Sequence, residues 1–142
     1  MCIRDRFNSS YKFHNDSRRF EIATSCVPLM SGLRKSLELM DQTIPLQTRN
    51  NTIMKISKEL WEKLKVGNLT KTILDLPPPS GLVSFKINKD YSTSKLVNKL
   101  ADRKICIRDL EDPPCLRACT HIFTSKQETD ELADAISSIL IN

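Results

Sequence analysis

Residues 104–123 read KICIRDLEDPPCLRACTHIF, and whether its two halves are strands or helices decides the fold. The second half, CLRACTHIF, ends in an apolar pair and offers no cap from which a helix could start. A strand over 115–123 is therefore predicted, preceded by a strand over KICIRDL at 104–110. The Pro-Pro connector between them can continue neither helix nor ladder. With a period of two, Cys115, Arg117, Cys119 and His121 share one face of the second strand. In the first, Arg108 lies opposite the face of Ile105 and Ile107. Only Asp109 to Pro114 separate Arg108 from Cys115.

The sulfurs and the imidazole suggest a metal or redox site, but strand geometry speaks against it. Each two-residue step advances about 6.7 Å, which puts Cys115 and Cys119 ~13 Å apart. Ligands of one zinc ion lie only about 4 Å from each other, and a disulfide needs Cα atoms within about 7 Å. No metal is expected. His121 reads as a hydrogen-bonded sheet histidine, with a catalytic base as the rival reading, and Cys26 and Cys106 read as small core hydrophobes. The arginines are different, because a guanidinium on a strand face is costly to bury without an anion. A short connector would bring Arg108 and Arg117 toward one end of the sheet, where two forks make a carboxylate or phosphate clamp. Internal pairing with Asp109, Glu111 or Asp112 of the connector is the competing account, and the residues alone leave both open.

Outward from this segment, helical and strand periods alternate. Cys26, Leu29, Leu33, Leu37 and Met40 form one helix face, with Ser25 as cap and Pro28 in the first turn. A second helix is predicted over about 48–65, facing inward with Ile53, Ile56, Leu60 and Leu64, and Trp61 beside them. Strands are predicted at 72–76 and 82–87 around the breaker PPPSG, with Val83, Phe85 and Ile87 alternating against Ser84 and Lys86. A third helix spans about 94–102 with Leu96, Val97 and Leu100. The last opens on a capping box, Ser125 with Glu128, and buries Leu132, Ile136, Ile139 and Leu140. The order α-α-β-β-α-β-β-α gives an α+β fold: an α/β sandwich in which helices cover a small, mostly antiparallel sheet.

The chain has 142 residues, 39% hydrophobic and 27% charged, ordinary for one globular domain. AISSILI at 135–141 is too short for a membrane span. The net charge of +5 raises the question of nucleic acid, but basic and acidic residues interleave without a basic block or aromatic-bearing stripe. No nucleic-acid or membrane partner is expected, although a stand-alone basic binding module is the alternative from a different class. Residues 1–6, MCIRDR, resemble the translation of a sequencing-library adapter, and they are set aside as an expected artefact. That takes the net charge from +5 to +4 and the cysteines from five to four. Without an apolar secretory h-region, those cysteines point to a reduced, cytoplasmic location.

Four motifs, in order, resemble one family: RRFEIATSCVPL at 18–29, PPPSGLVSF at 77–85, IRDLEDPPCLRAC at 107–119 and HIFTS at 121–125. They are similar to the C-terminal domain of class V aminotransferase-fold, cysteine desulfurase-like enzymes, and within these to L-cysteine/cystine C–S lyases. The resemblance implies the small domain of a fold-type I pyridoxal 5'-phosphate enzyme over residues 18–142, with 7–17 a polar lead-in from a large domain upstream. It implies that Arg117 grips the substrate α-carboxylate, with Arg108 beside it and His121 in support. Thr24 would approach the cofactor phosphate of the partner subunit in a homodimer. The cofactor lysine would lie upstream, leaving no catalytic residue in this stretch, which would be inactive alone. Ile122 stands where an aromatic residue is more usual after the histidine. Desulfurases of the family carry a nucleophilic cysteine on a long loop between these strands, and here that loop has no room. The resemblance therefore implies elimination of sulfur from cysteine or cystine, with a desulfurase, epimerase or aminotransferase as the alternative.

Overall fold

In the computed structural model, Val83 and Phe85 are fully buried while Ser84 and Lys86 face outward, so the alternation read from 82–87 forms strand β2 (Leu82–Ile87). The structure describes residues 14–20 and 26–141. These fall into two compact units, residues 1–44 and 45–142.

The first unit holds a short 3-10 turn (Ser17–Phe20) and helix α1 (Val27–Thr43). Leu29, Leu33 and Leu37 fall on one stripe as expected, yet α1 has no buried residue. Cys26 occupies the N-cap position without a side-chain bond. Ser25, expected to cap this helix, lies outside the described residues.

The second unit contains α2 (Leu46–Val66), β1 (Thr70–Thr72), β2, α3 (Thr93–Asp102), β3 (Arg108–Glu111), β4 (Pro114–Cys119) and α4 (Lys126–Ile141). The strands form one antiparallel sheet in the order β1-β2-β4-β3, and with the helices this gives the expected α+β fold. Leu60, Trp61 and Leu64 of α2, Leu96 and Leu100 of α3, and Leu132, Ile136 and Ile139 of α4 pack with Val83, Phe85, Leu116 and Ala118 of the sheet in one core.

Three boundaries differ from the sequence reading, each for a local reason. The strand expected at 72–76 is instead Thr70–Thr72, because the Leu74 carbonyl accepts the Trp61 indole N–H at 3.0 Å and leaves the ladder. The strand expected from Lys104 begins at Arg108. Lys104 has a positive φ of 62°, and the Ile105 N–H bonds back to Leu100, so these residues finish α3 instead. The strand expected to reach Phe123 stops at Cys119: Thr120 still donates its N–H and hydroxyl to the Gly81 carbonyl, but the Thr124 N–H then bonds back to the His121 carbonyl and closes a turn. Gly81 has no alternative there: an added Cβ would lie 2.4 Å from the Thr120 carbonyl oxygen.

The capping box on α4 forms as read: the Glu128 N–H donates to Ser125 Oγ at 3.2 Å, and the Ser125 N–H to Glu128 at 2.7 Å. The Ser125 N–H, then its hydroxyl, hold the Glu128 carboxyl below its usual range. A carboxylate pKa lowered on folding adds stability above the unfolded value, lost as pH falls through the folded one. Glu128→Gln should therefore lower the melting temperature at pH 7, and the difference should close as the pH drops below about 4. Thermal melts at the two pH values measure this, and a difference that persists in acid would contradict it.

Candidate functional site

β3 and β4 form a hairpin in which Glu111 pairs with Pro114, leaving Asp112 and Pro113 as the turn, with a cis bond between them. The register places Arg108 directly opposite Arg117, where Cβ atoms are about 4.5–5.5 Å apart. On its other side Arg117 faces Ser84 of β2, whose hydroxyl accepts from the Arg117 Nε at 3.4 Å. The two guanidiniums thus share one row of the outer sheet face, the side turned away from Leu116 and Ala118.

Asp109 belongs to the opposite face and accepts from the hydroxyls of Thr93 at 2.7 Å and Ser94 at 3.1 Å, at the start of α3. Glu111 shares its parity. Among the described residues, no carboxylate forms an ion pair with Arg108 or Arg117. The internal pairing left open by the sequence is thus not what forms. Like charges directly opposite on a sheet repel, so the pair is a ready receptor for a planar anion that can accept from both forks.

The other sequence candidates divide. His121 lies beyond the end of β4, exposed, at a turn in which its N–H donates to Thr124 Oγ1 at 2.9 Å. Its ring sits against Phe123 with centroids 5.3 Å apart. It therefore does not extend the strand face of Arg117 as expected. Thr24 lies outside the described residues. Cys26 and Cys106, expected in the core, are exposed, whereas Cys115 is buried at 4% exposure. Cys106 is outside because α3 ends in the turn at Lys104, which leaves only Ile105 and Ile107 packed against the core. Among the described residues, no three His, Cys, Asp or Glu side chains gather closely enough to hold a metal ion. No helix among them is long and apolar enough to cross a membrane.

A cavity of about 460 Å³ opens past the end of β4, lined by Cys106, Cys119, Thr120, Thr124 and Leu132 among others. Neither arginine lines it. The two arginines instead lie on an open sheet face, whose character the sequence could suggest only through strand parity.

Comparison with known proteins places the fold. The model of the family described as Aminotransferase class-V matches residues 1–128. Among solved structures, the chain is similar to the cystine C–S lyase C-DES in complex with its reaction product cysteine persulfide. There the identity is 32% over 84% of this chain and 32% of that one, with a TM-score of 0.76. A lysine-to-alanine mutant of C-DES, with glycine covalently linked to its pyridoxal phosphate cofactor, matches at 32% identity over 84% and 31% of the two chains, TM-score 0.76. The cysteine desulfurase CsdA from Escherichia coli, at 19% identity over 85% and 32%, shares the fold with a TM-score of 0.74. The chain spans about a third of the length of these structures. A search of curated proteins returned no match.

Proposed function

Since the chain belongs to the class-V aminotransferase family, we propose that it supplies the substrate-carboxylate clamp of a pyridoxal-phosphate-dependent C–S lyase acting on cysteine or cystine. The observation that carries this is the direct opposition of Arg108 and Arg117, with no carboxylate partner among the described residues. The 32% identity to C-DES supports the choice of reaction.

Arg117 takes the α-carboxylate bidentately, and the Ser84 hydroxyl steadies its Nε. Arg108 adds charge and a second fork from the neighbouring strand. Holding the carboxylate fixes the rotation of the amino acid about Cα, and so which Cα bond is aligned for cleavage. The chain's role is positional.

The cofactor, pyridoxal phosphate as in the C-DES mutant, does not fit a cradle built from the described residues. Gly32 lies within α1, Gly67 ends α2, and Gly81 is held against Thr120, so no glycine-rich loop forms to take a phosphate. No step is therefore routed through the cofactor, which when bound supplies the electron sink for charge left on Cα. In keeping with this, the 142-residue chain mixed with pyridoxal phosphate should leave the absorbance of the free cofactor unchanged. The full-length enzyme is proposed to work as a homodimer in the cytoplasm.

The two-residue turn of the hairpin favours elimination over desulfurisation. Cys115 sits buried in β4 with no loop to carry it to a substrate. In the full-length enzyme, Cys115→Ala should lose less than about tenfold in kcat, under roughly 1.4 kcal/mol of barrier. Product analysis tests the reaction itself: pyruvate with a thiol or persulfide is expected, and alanine would mark a desulfurase instead.

A further inference from the structure

The cavity past the end of β4 holds two thiols that the arginine pair does not use. Cys106 and Cys119 both line it, and both are free and exposed. Strand spacing keeps Cys119 away from Cys115 along β4, but the hairpin register brings Cys106 across to it. Arg108 is the partner of Arg117. Continued past that last rung, the same antiparallel count sets Ile107 opposite Ala118 and Cys106 opposite Cys119. The side chains follow the count. Ile107 packs against the core to which Ala118 belongs, and the two cysteines, one residue further out, are exposed. All four residues line the one cavity.

Residues directly opposite in an antiparallel pair lie about 4.5–5.5 Å apart at Cα, whichever kind of rung they occupy. A disulfide bridges Cα separations of about 4.4–6.8 Å, so the opposed positions suit one. The ladder ends at Arg108, which leaves Cys106 two residues outside it, where no rung holds the backbone against a small adjustment. The other described cysteines are placed differently. Cys115 is buried in β4 at 4% exposure, and Cys26 belongs to the first compact unit.

We propose that Cys106 and Cys119 form a dithiol redox site, converted to an intramolecular disulfide by a small-molecule disulfide. One protein thiol attacks the S–S bond of the reagent, forming a mixed disulfide and releasing a first small thiol, which takes up the proton. The second protein thiol attacks the protein sulfur of that mixed disulfide, and the second small thiol leaves with its proton. The protein loses two S–H bonds and gains one S–S bond, while the reagent is reduced to two thiols. The new bond closes the open end of the β3–β4 hairpin, two residues from each arginine. It is a modification site that depends neither on the carboxylate clamp nor on the reaction proposed above.

The test treats the full-length enzyme with oxidised glutathione and maps its cysteines by peptide mass spectrometry without reduction. The peptide holding Cys106 should be joined to the one holding Cys119, with Cys115 unmodified. Dithiothreitol should break the bond and return both thiols. Cys106→Ser should stop at the mixed disulfide, leaving glutathione on Cys119, and Cys119→Ser should leave it on Cys106. Glutathione on both cysteines of the native protein, with no cross-link, would show two thiols unable to reach each other and overturn the proposal. No reaction at either, or a bond from either to another cysteine, would overturn it too.

Discussion

Arg117→Ala in the full-length enzyme is expected to lower kcat/KM for both cysteine and cystine by about 10²–10⁴-fold. Two hydrogen bonds to a carboxylate are lost, each worth about 1.5–3 kcal/mol, and each 1.4 kcal/mol is about tenfold in rate. Arg117→Lys should recover only part, since an ammonium supplies charge without the planar fork that fixes the carboxylate's orientation. Arg108→Ala should do less harm, because Arg117 still holds the α-carboxylate and its Ser84 contact. The same variants have an unusual stability signature. Arg117 is a half-buried residue on the outer face with a cation opposite it, so its removal relieves repulsion. Arg117→Ala should melt no lower than the native chain, and slightly higher in low salt where screening is weakest. An inactive but undiminished fold would mark a binding residue. Near-normal turnover of both substrates would end the assignment.

The hairpin that carries this pair was legible in the sequence because two independent signals agreed. Period two placed Arg108 and Arg117 away from the isoleucines and leucine, and Pro113 with Pro114 forced a short connector. What the sequence could not supply was register. A shift by one residue would have sent Arg117 to the core face, and only the burial of Leu116 and Ala118 on either side of it, with Arg108 opposite, settles that it does not. The misplaced boundaries share a cause. Trp61, Lys104 and Thr124 end elements through contacts with carbonyls or through a positive φ, none of which hydrophobic periodicity reports. His121 illustrates the consequence. It keeps strand parity on paper, but the bond from the Thr124 N–H to the His121 carbonyl turns the chain at the histidine. Cys106 fails for the same kind of reason, because the turn at the end of α3 takes residues that periodicity had assigned to a strand.

The core beneath the two arginines yields the other large effect. Phe85 is fully buried, faces Leu116 across β2 and β4, and packs in the cluster formed by Leu60, Leu100 and Ile136. Phe85→Ala removes a ring that no neighbour can replace, and such truncations cost about 3–5 kcal/mol. Domains of this size have only about 5–15 kcal/mol in total, and each kcal/mol shifts the midpoint by about 4–8 °C, so the melting temperature should fall by at least roughly 12 °C. Leu82→Ala, on the same strand but facing outward at 45% exposure, should stay within about 1 kcal/mol. The pair separates burial from strand membership. Because Leu116 precedes Arg117 on β4, loss of the ring also loosens the strand that aims the proposed clamp. At a temperature where the variant is still folded, the KM for cysteine should therefore rise along with the drop in stability, whereas Leu82→Ala leaves it in place. A Phe85→Ala protein that melts within a few degrees of the native one would show that the helices, rather than the β2–β4 seam, hold this sheet together.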